Sequence, residues 1–175
     1  MNEEQFEKYL YMIMTRGTSF WELYYSFNLM NEGKWMVNSE VLKWGEENFD
    51  ILRNAKLIGN ASAGSGNVYG YSSWAEDKGV ISLRNPSSTK QSYTITLDRL
   101  IGVGEGASNM VKSTVYPYGV PEENTTYNYG DTITVELEPY EVLVWQFGDA
   151  DTNPAEIVEV KAEDANTILV EFNER

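Results

Sequence analysis

Between residues 66 and 148, apolar and polar side chains alternate in short runs separated by turn residues, and this limits the fold more than any other feature of the chain. Tyr93, Ile95 and Leu97 alternate with Ser92, Thr94 and Thr96, and Ile133, Val135 and Leu137 alternate with Thr134 and Glu136. A period of two sends successive side chains to opposite faces of an extended strand, so each run buries one face. Strands are expected at 68–74, 79–84, 93–97, 110–116, 133–137 and 141–147. Asp77-Lys78-Gly79, Asn85-Pro86-Ser87-Ser88, the glycine-rich stretch 102–106, Pro117 and Pro139 punctuate them. No stretch between them reads as a crossover helix, which parallel strands need. The expectation is an antiparallel β-sandwich over residues 66–148. Its core should include Ile95, Leu97, Ile133, Val135, Leu143 and Trp145.

Residues 1–58 have another character, rich in Met, Trp, Phe and Leu. Phe6, Leu10 and Met14, flanked by Tyr9 and Ile13, recur at helical spacing over 3–14. Residues 20–30 are almost continuously apolar or aromatic, and Thr18 or Ser19 is placed to cap them as a helix. A third helix is expected over 35–57, with Asn38 or Ser39 as its cap, a stripe of Leu42, Gly45, Phe49 and Leu52, and Gly59 as its terminator. The fold class is therefore mainly β with an α-helical N-terminal segment. Residues 149–175 form a polar linker and then two alternating runs, 157–160 and 168–172, that read as a hairpin. Two strands alone are marginal in water, so this tail needs a partner sheet.

Composition narrows the chemistry. The chain has 27 acidic and 13 basic residues and a formal net charge of −14, which disfavours nucleic acid and anionic membrane surfaces as partners. Its apolar stretches are too short to span a bilayer. With no cysteine and no histidine, disulfides, thiolate metal sites and Ser-His-Asp chemistry are excluded. No cofactor or metal is expected: the acids form no calcium loop, and the glycines at 102, 104 and 106 belong to no phosphate-binding loop. Glycoside hydrolysis, which needs only two carboxylates, survives this filter.

Five residues are candidates for contact with a sugar. Tyr69, Tyr71 and Trp74 lie on the first strand run, where aromatic faces either stack on sugar C–H faces or pack the sheet. Arg16, in a Thr-Arg-Gly-Thr turn, either clamps a polar ligand or ties loops together. Glu22, inside the run Phe20-Trp21-Glu22-Leu23-Tyr24-Tyr25, either titrates in apolar surroundings or points to water. No second carboxylate is fixed beside it, so no catalytic residue is assigned.

Several stretches resemble the end of a glycoside hydrolase of the α-galactosidase and α-glucosidase kind. Residues 11–26 (YMIMTRGTSFWELYYS) and 35–57 resemble the last strand and helices of a (β/α)8 barrel. Residues 68–87 (VYGYSSWAEDKGVISLRNPS) resemble the opening of the β-sandwich that follows such barrels, and 133–147 (ITVELEPYEVLVWQF) its closing hairpin. Residues 154–174 (PAEIVEVKAEDANTILVEFNE) resemble the first strands of a bacterial immunoglobulin-like module. The resemblance implies three parts: a barrel remnant at 1–58, with residues 12–15 a former barrel strand, a sandwich at 66–148, and the start of a further module at 149–175. It implies a secreted, cell-surface or periplasmic accessory domain whose partner is the parent's catalytic barrel, since the family's catalytic carboxylates lie on earlier barrel strands. The alternative is a carbohydrate-binding module using the Tyr and Trp side chains, with glycan as partner. The apolar helical segment is expected to pack its stripe on the sandwich or on a second copy of the chain.

Overall fold

The computed structural model describes residues 1–17, 20–60, 65–120, 125–149, 157–162 and 167–172. Helix α1 (Glu3–Thr15) begins at a reciprocal cap: the Asn2 side chain accepts from the Gln5 N–H at 2.8 Å, and the Gln5 side chain accepts from the Asn2 N–H at 3.1 Å. It runs through residues 12–15 as helix, not as strand. The expected caps Thr18 and Ser19, the linker at 150–156 and the hairpin turn at 163–166 lie outside the described residues.

Residues 20–26 are not helical. Trp21, Leu23 and Tyr25 face the protein, while Phe20, Glu22, Tyr24 and Ser26 face water. That is the alternation of an extended segment. Bulky aromatics lose side-chain freedom in a helix and fit extended backbone well, and here every second one finds a packed site. A single 3-10 turn, Phe27–Leu29, follows.

Helix α2 (Glu32–Glu47) starts earlier than expected and ends earlier, followed by the short α3 (Phe49–Leu52). Its cap is Asn31, whose side chain accepts from the Lys34 N–H at 2.9 Å. Asn38, expected as the cap, is buried in mid-helix, where it accepts a hydrogen bond from the Tyr25 hydroxyl. Residues 56 and 57, expected in the last helical turn, belong to strand β1 (Lys56–Gly59), which pairs antiparallel with β2 (Tyr69–Ala75). Edge pairing satisfies β1's backbone and buries Ile58 in the sandwich, which wins over one more helical turn.

The remaining strands are β3 (Lys78–Arg84), β4 (Gln91–Thr96), β5 (Met110–Tyr116), β6 (Thr126–Tyr127), β7 (Thr132–Leu137), β8 (Val142–Gly148), β9 (Ile157–Ala162) and β10 (Ile168–Phe172). They form a 6-stranded sheet in the order β1-β2-β3-β8-β5-β6 and a 2-stranded sheet β4-β7, all pairs antiparallel, with β9 and β10 paired separately. Ala75 pairs with Lys78, so the β2–β3 turn is Glu76-Asp77, one position before the expected one. Glu76 takes the left-handed backbone it requires, at φ 58°.

The large sheet is covered on both faces. Ile81, Leu83, Leu143, Trp145 and Phe147 pack toward β4 and β7, against Ile95, Leu97, Ile133 and Leu137. Val80, Val142 and Val144, one step out of register, pack toward Leu10, Tyr11 and Met14 of α1 and Trp44 of α2. Burial on both sides explains why β8 reads as a nearly unbroken apolar run. Five of the expected core residues are buried, and Val135 is half-buried against the same cluster. The architecture is three layers: helices, large sheet, small sheet.

Candidate functional site

The helical layer leaves a groove of about 660 Å³ between α1 and the extended segment that follows it. Phe6, Tyr9 and Ile13 of α1 line one side, at the 3- and 4-residue spacing that puts them on one helix face. Residues 20–26 line the other side, and Leu29 and Met30 form its lip. Arg16 and Lys34 are the cations of the lining. Lys34 sits where α2 begins, its Nζ donating to the Leu29 carbonyl at 2.7 Å. Among the described lining residues Glu22 is the only carboxylate. Its Oε1 accepts from the Tyr24 hydroxyl at 2.5 Å, as expected of residues i and i+2 on one side of an extended chain. That contact with a negative acceptor holds the Tyr24 hydroxyl proton more tightly than usual.

The sequence candidates separate into two groups. Arg16 and Glu22 both line the groove. Tyr69, Tyr71 and Trp74 share no open face. Trp74 is only 6% exposed and points into the sandwich, its indole N–H donating to Ser72 Oγ at 2.8 Å and its ring 5.3 Å from that of Phe147. Gly79, its cross-strand partner, leaves room for the ring to lie on the backbone, where a Cβ would collide with it. Tyr69 and Tyr71 lie on the other face of β2, half-buried against the helical layer. Burial raises the Tyr71 hydroxyl, and the Arg16 guanidinium works in the opposite direction.

Turnover of a glycoside requires two carboxylates, one on each side of the scissile bond. The described lining supplies one, exposed and tied to Tyr24. No group of three or more Asp or Glu residues suited to a metal ion occurs among the described residues.

Two further polar clusters, the first part-buried and the second buried, lie outside the five sequence candidates. The hydroxyls of Tyr11 and Tyr118 share a hydrogen bond of 2.9 Å, and Tyr118 also bonds Glu7. Asn85, fully buried, donates to the carbonyls of Thr89, Leu137 and Glu138 and accepts from the Ser87 N–H and Gln91 Nε2. Its place in an Arg-Asn-Pro turn was the only sequence signal for the second cluster. The first joins residues 107 positions apart, which no local pattern marks.

No protein-family model matches the chain, and no characterised protein matches it in sequence. Solved structures do match in fold. α-Galactosidase I from Mortierella vinacea aligns with 86% of this chain using 36% of its own, at 16% identity and a TM-score of 0.51. A Bacteroides fragilis protein designated a candidate α-galactosidase aligns with 86% of this chain using 30% of its own, at 12% identity and a TM-score of 0.49. Trehalose-6-phosphate hydrolase from Bacillus licheniformis aligns with 66% using 18% of its own, at 13% identity and a TM-score of 0.44. The chain thus spans little more than a third of the α-galactosidase and less of the others. In fold, this three-layer chain is similar to one part of a larger glycosidase chain.

Proposed function

We propose that this chain is a non-catalytic accessory region of a glycoside hydrolase, which supports the enzyme's catalytic barrel through the helical layer. The observation that carries this reading is the partial span: most of this chain corresponds in fold to 36% of an α-galactosidase. The lining of the groove supports it further, since one carboxylate on an exposed segment cannot do the work of two. A glycosidase pocket is built from the C-terminal ends of several barrel strands, and the described residues contain no barrel. The reading places the protein outside the cell or at its surface. It also makes the β9–β10 hairpin the beginning of an immunoglobulin-like module: Val158, Val160 and Ala162 lie on one face of β9, opposite Glu159 and Lys161, and await a facing sheet.

Incubation of the chain with a panel of α- and β-linked chromogenic glycosides is expected to release no chromophore. Turnover abolished by Glu22→Gln would overturn the reading.

One observation favours sugar binding as a second reading. Arg16 and Glu22 both line a groove that also presents the rings of Phe20 and Tyr24, and exposed rings beside charged groups suit a sugar. Calorimetric titration with galactose and glucose tests it. Heats of binding that vanish in Tyr24→Ala support it, and their absence in the parent chain removes it.

A further inference from the structure

The extended segment and the turn after it keep large apolar side chains in water. Phe27 is 85% exposed, Tyr24 83%, and Phe20 and Leu29 66% each. Tyr9 and Trp35 are also exposed, and the Trp35 ring meets that of Tyr25 edge-on at 5.7 Å. Local strain does not force this exposure. Phe27 and Leu29 sit on a regular 3-10 turn, and Phe20 and Tyr24 alternate with neighbours that pack inward. Together the six residues leave on the order of 800 Å² uncovered, taking roughly 200 Å² for a large side chain. That is about what each partner contributes to a stable protein–protein interface.

The same surface holds both a hollow and a projection. The groove beside α1 is the hollow, and the turn Phe27–Leu29 at its lip is the projection. A two-fold axis brings such a pair into register twice, because each copy inserts its lip into the groove of the other. Charge permits the approach. The chain carries −14, but the described charged lining of the groove is Arg16, Lys34 and Glu22, a local surplus of base.

We infer that a second copy of this chain closes the groove, forming a two-fold dimer in which Phe27 and Leu29 of each protomer occupy the groove of its partner. This rests on the same view of the helical layer as a contact face and goes beyond it in naming the occupant when the chain stands alone. The contact is apolar while each protomer as a whole repels the other, so added salt strengthens the pairing by screening.

Sedimentation equilibrium of the 175-residue chain, from micromolar to submillimolar concentration, tests the inference. The expected mass is twice that of the protomer at the upper end, with a dissociation constant that falls as sodium chloride is raised. Phe27→Asp and Leu29→Asp are expected to give monomers with an unchanged unfolding midpoint at low concentration, because both residues are mostly exposed in the protomer and belong to neither core cluster. Leu100→Asp, on an exposed residue away from the groove, is expected to remain dimeric. A monomer at every concentration, an open-ended series of larger species, a dimer that survives Phe27→Asp with Leu29→Asp, or a dimer weakened by salt would each overturn the pairing. Monomeric behaviour leaves the accessory reading to the turnover assay, and turnover by a dimer removes the accessory reading alone.

Discussion

Asn85 shows how much one side chain can hold together. Its amide bonds at 3.1 Å and 3.0 Å to the carbonyls of Leu137 and Glu138, at the end of β7, while it sits beyond the end of β3. It therefore ties the small sheet to the large one. Asn85→Ala leaves buried carbonyls without a donor and is expected to lower the unfolding free energy by about 2–3 kcal/mol in urea titration. Asn85→Asp is expected to be worse near neutral pH, since a carboxylate would face those carbonyls. Its folded form takes up a proton more readily than its unfolded form, so its deficit relative to Asn85→Ala should shrink as pH falls. A pH-independent difference would show that the amide does not donate as described. Trp145 acts by volume and not by polarity: it is buried in the sandwich, with the Lys112 ammonium 4.9 Å above its ring. Trp145→Ala is expected to cost roughly 3–5 kcal/mol, and an unchanged denaturation midpoint would remove it from the core.

At the scale of elements, strands were legible and helices only partly so. A strand with one wet face writes its burial in the sequence at period two, and β4 and β7 fall close to where that pattern put them. Residues 20–26 misled because an aromatic run is compatible with either backbone. Only the packing of Trp21, Leu23 and Tyr25 on the helical layer selects the extended form. The start of α2 was misplaced because several caps compete in Asn31, Asn38 and Ser39, and the one that lies before the buried stripe wins. Asn31→Ala is expected to lower stability by about 1 kcal/mol, whereas Ser39→Ala, on an exposed helical position, should leave it within error. A parallel loss in Ser39→Ala would contradict the boundary. The contact of α1 with the end of β5 carries a pH signature. Burial raises the Tyr116 hydroxyl first, and the negative charges of Glu7 and Glu4 add to it. The unfolded chain ionises this tyrosine near pH 10, while the folded chain keeps the proton to higher pH. Stability is therefore complete below about pH 10 and falls above it, by about 1.4 kcal/mol per pH unit for each proton so held. Tyr116→Phe should reduce that slope by one proton, and an unchanged slope in urea titrations above pH 10 would contradict it.

For the whole molecule, the sequence pointed to a sandwich with a helical lead-in packed either on it or on a second copy, and the structure takes the first course without the sequence having said which strands form the shared wall. The lead-in covers the outer face of the large sheet, so the two parts share β3 and β8 as a common wall. Alternation in β8 could not reveal this, since a strand buried on both faces has no polar side to mark. The candidate site was legible to the extent that Arg16 and Glu22 fall on one groove. It was not legible for Trp74, whose partner Gly79 makes an interior niche that only the pairing of β2 with β3 creates. The groove itself arises from two segments that meet only in the folded chain. On the proposed accessory reading, the aromatic rings that the helical layer leaves in water are where a catalytic partner would be added. The intact mass of the polypeptide made from the natural gene tests this most directly, measured after capture with an antibody raised against residues 66–148. The account predicts a chain longer than this one by at least a barrel's length, about 250 residues, that cleaves aryl glycosides. A natural product of 19.9 kDa, with no further chain attached, would contradict it.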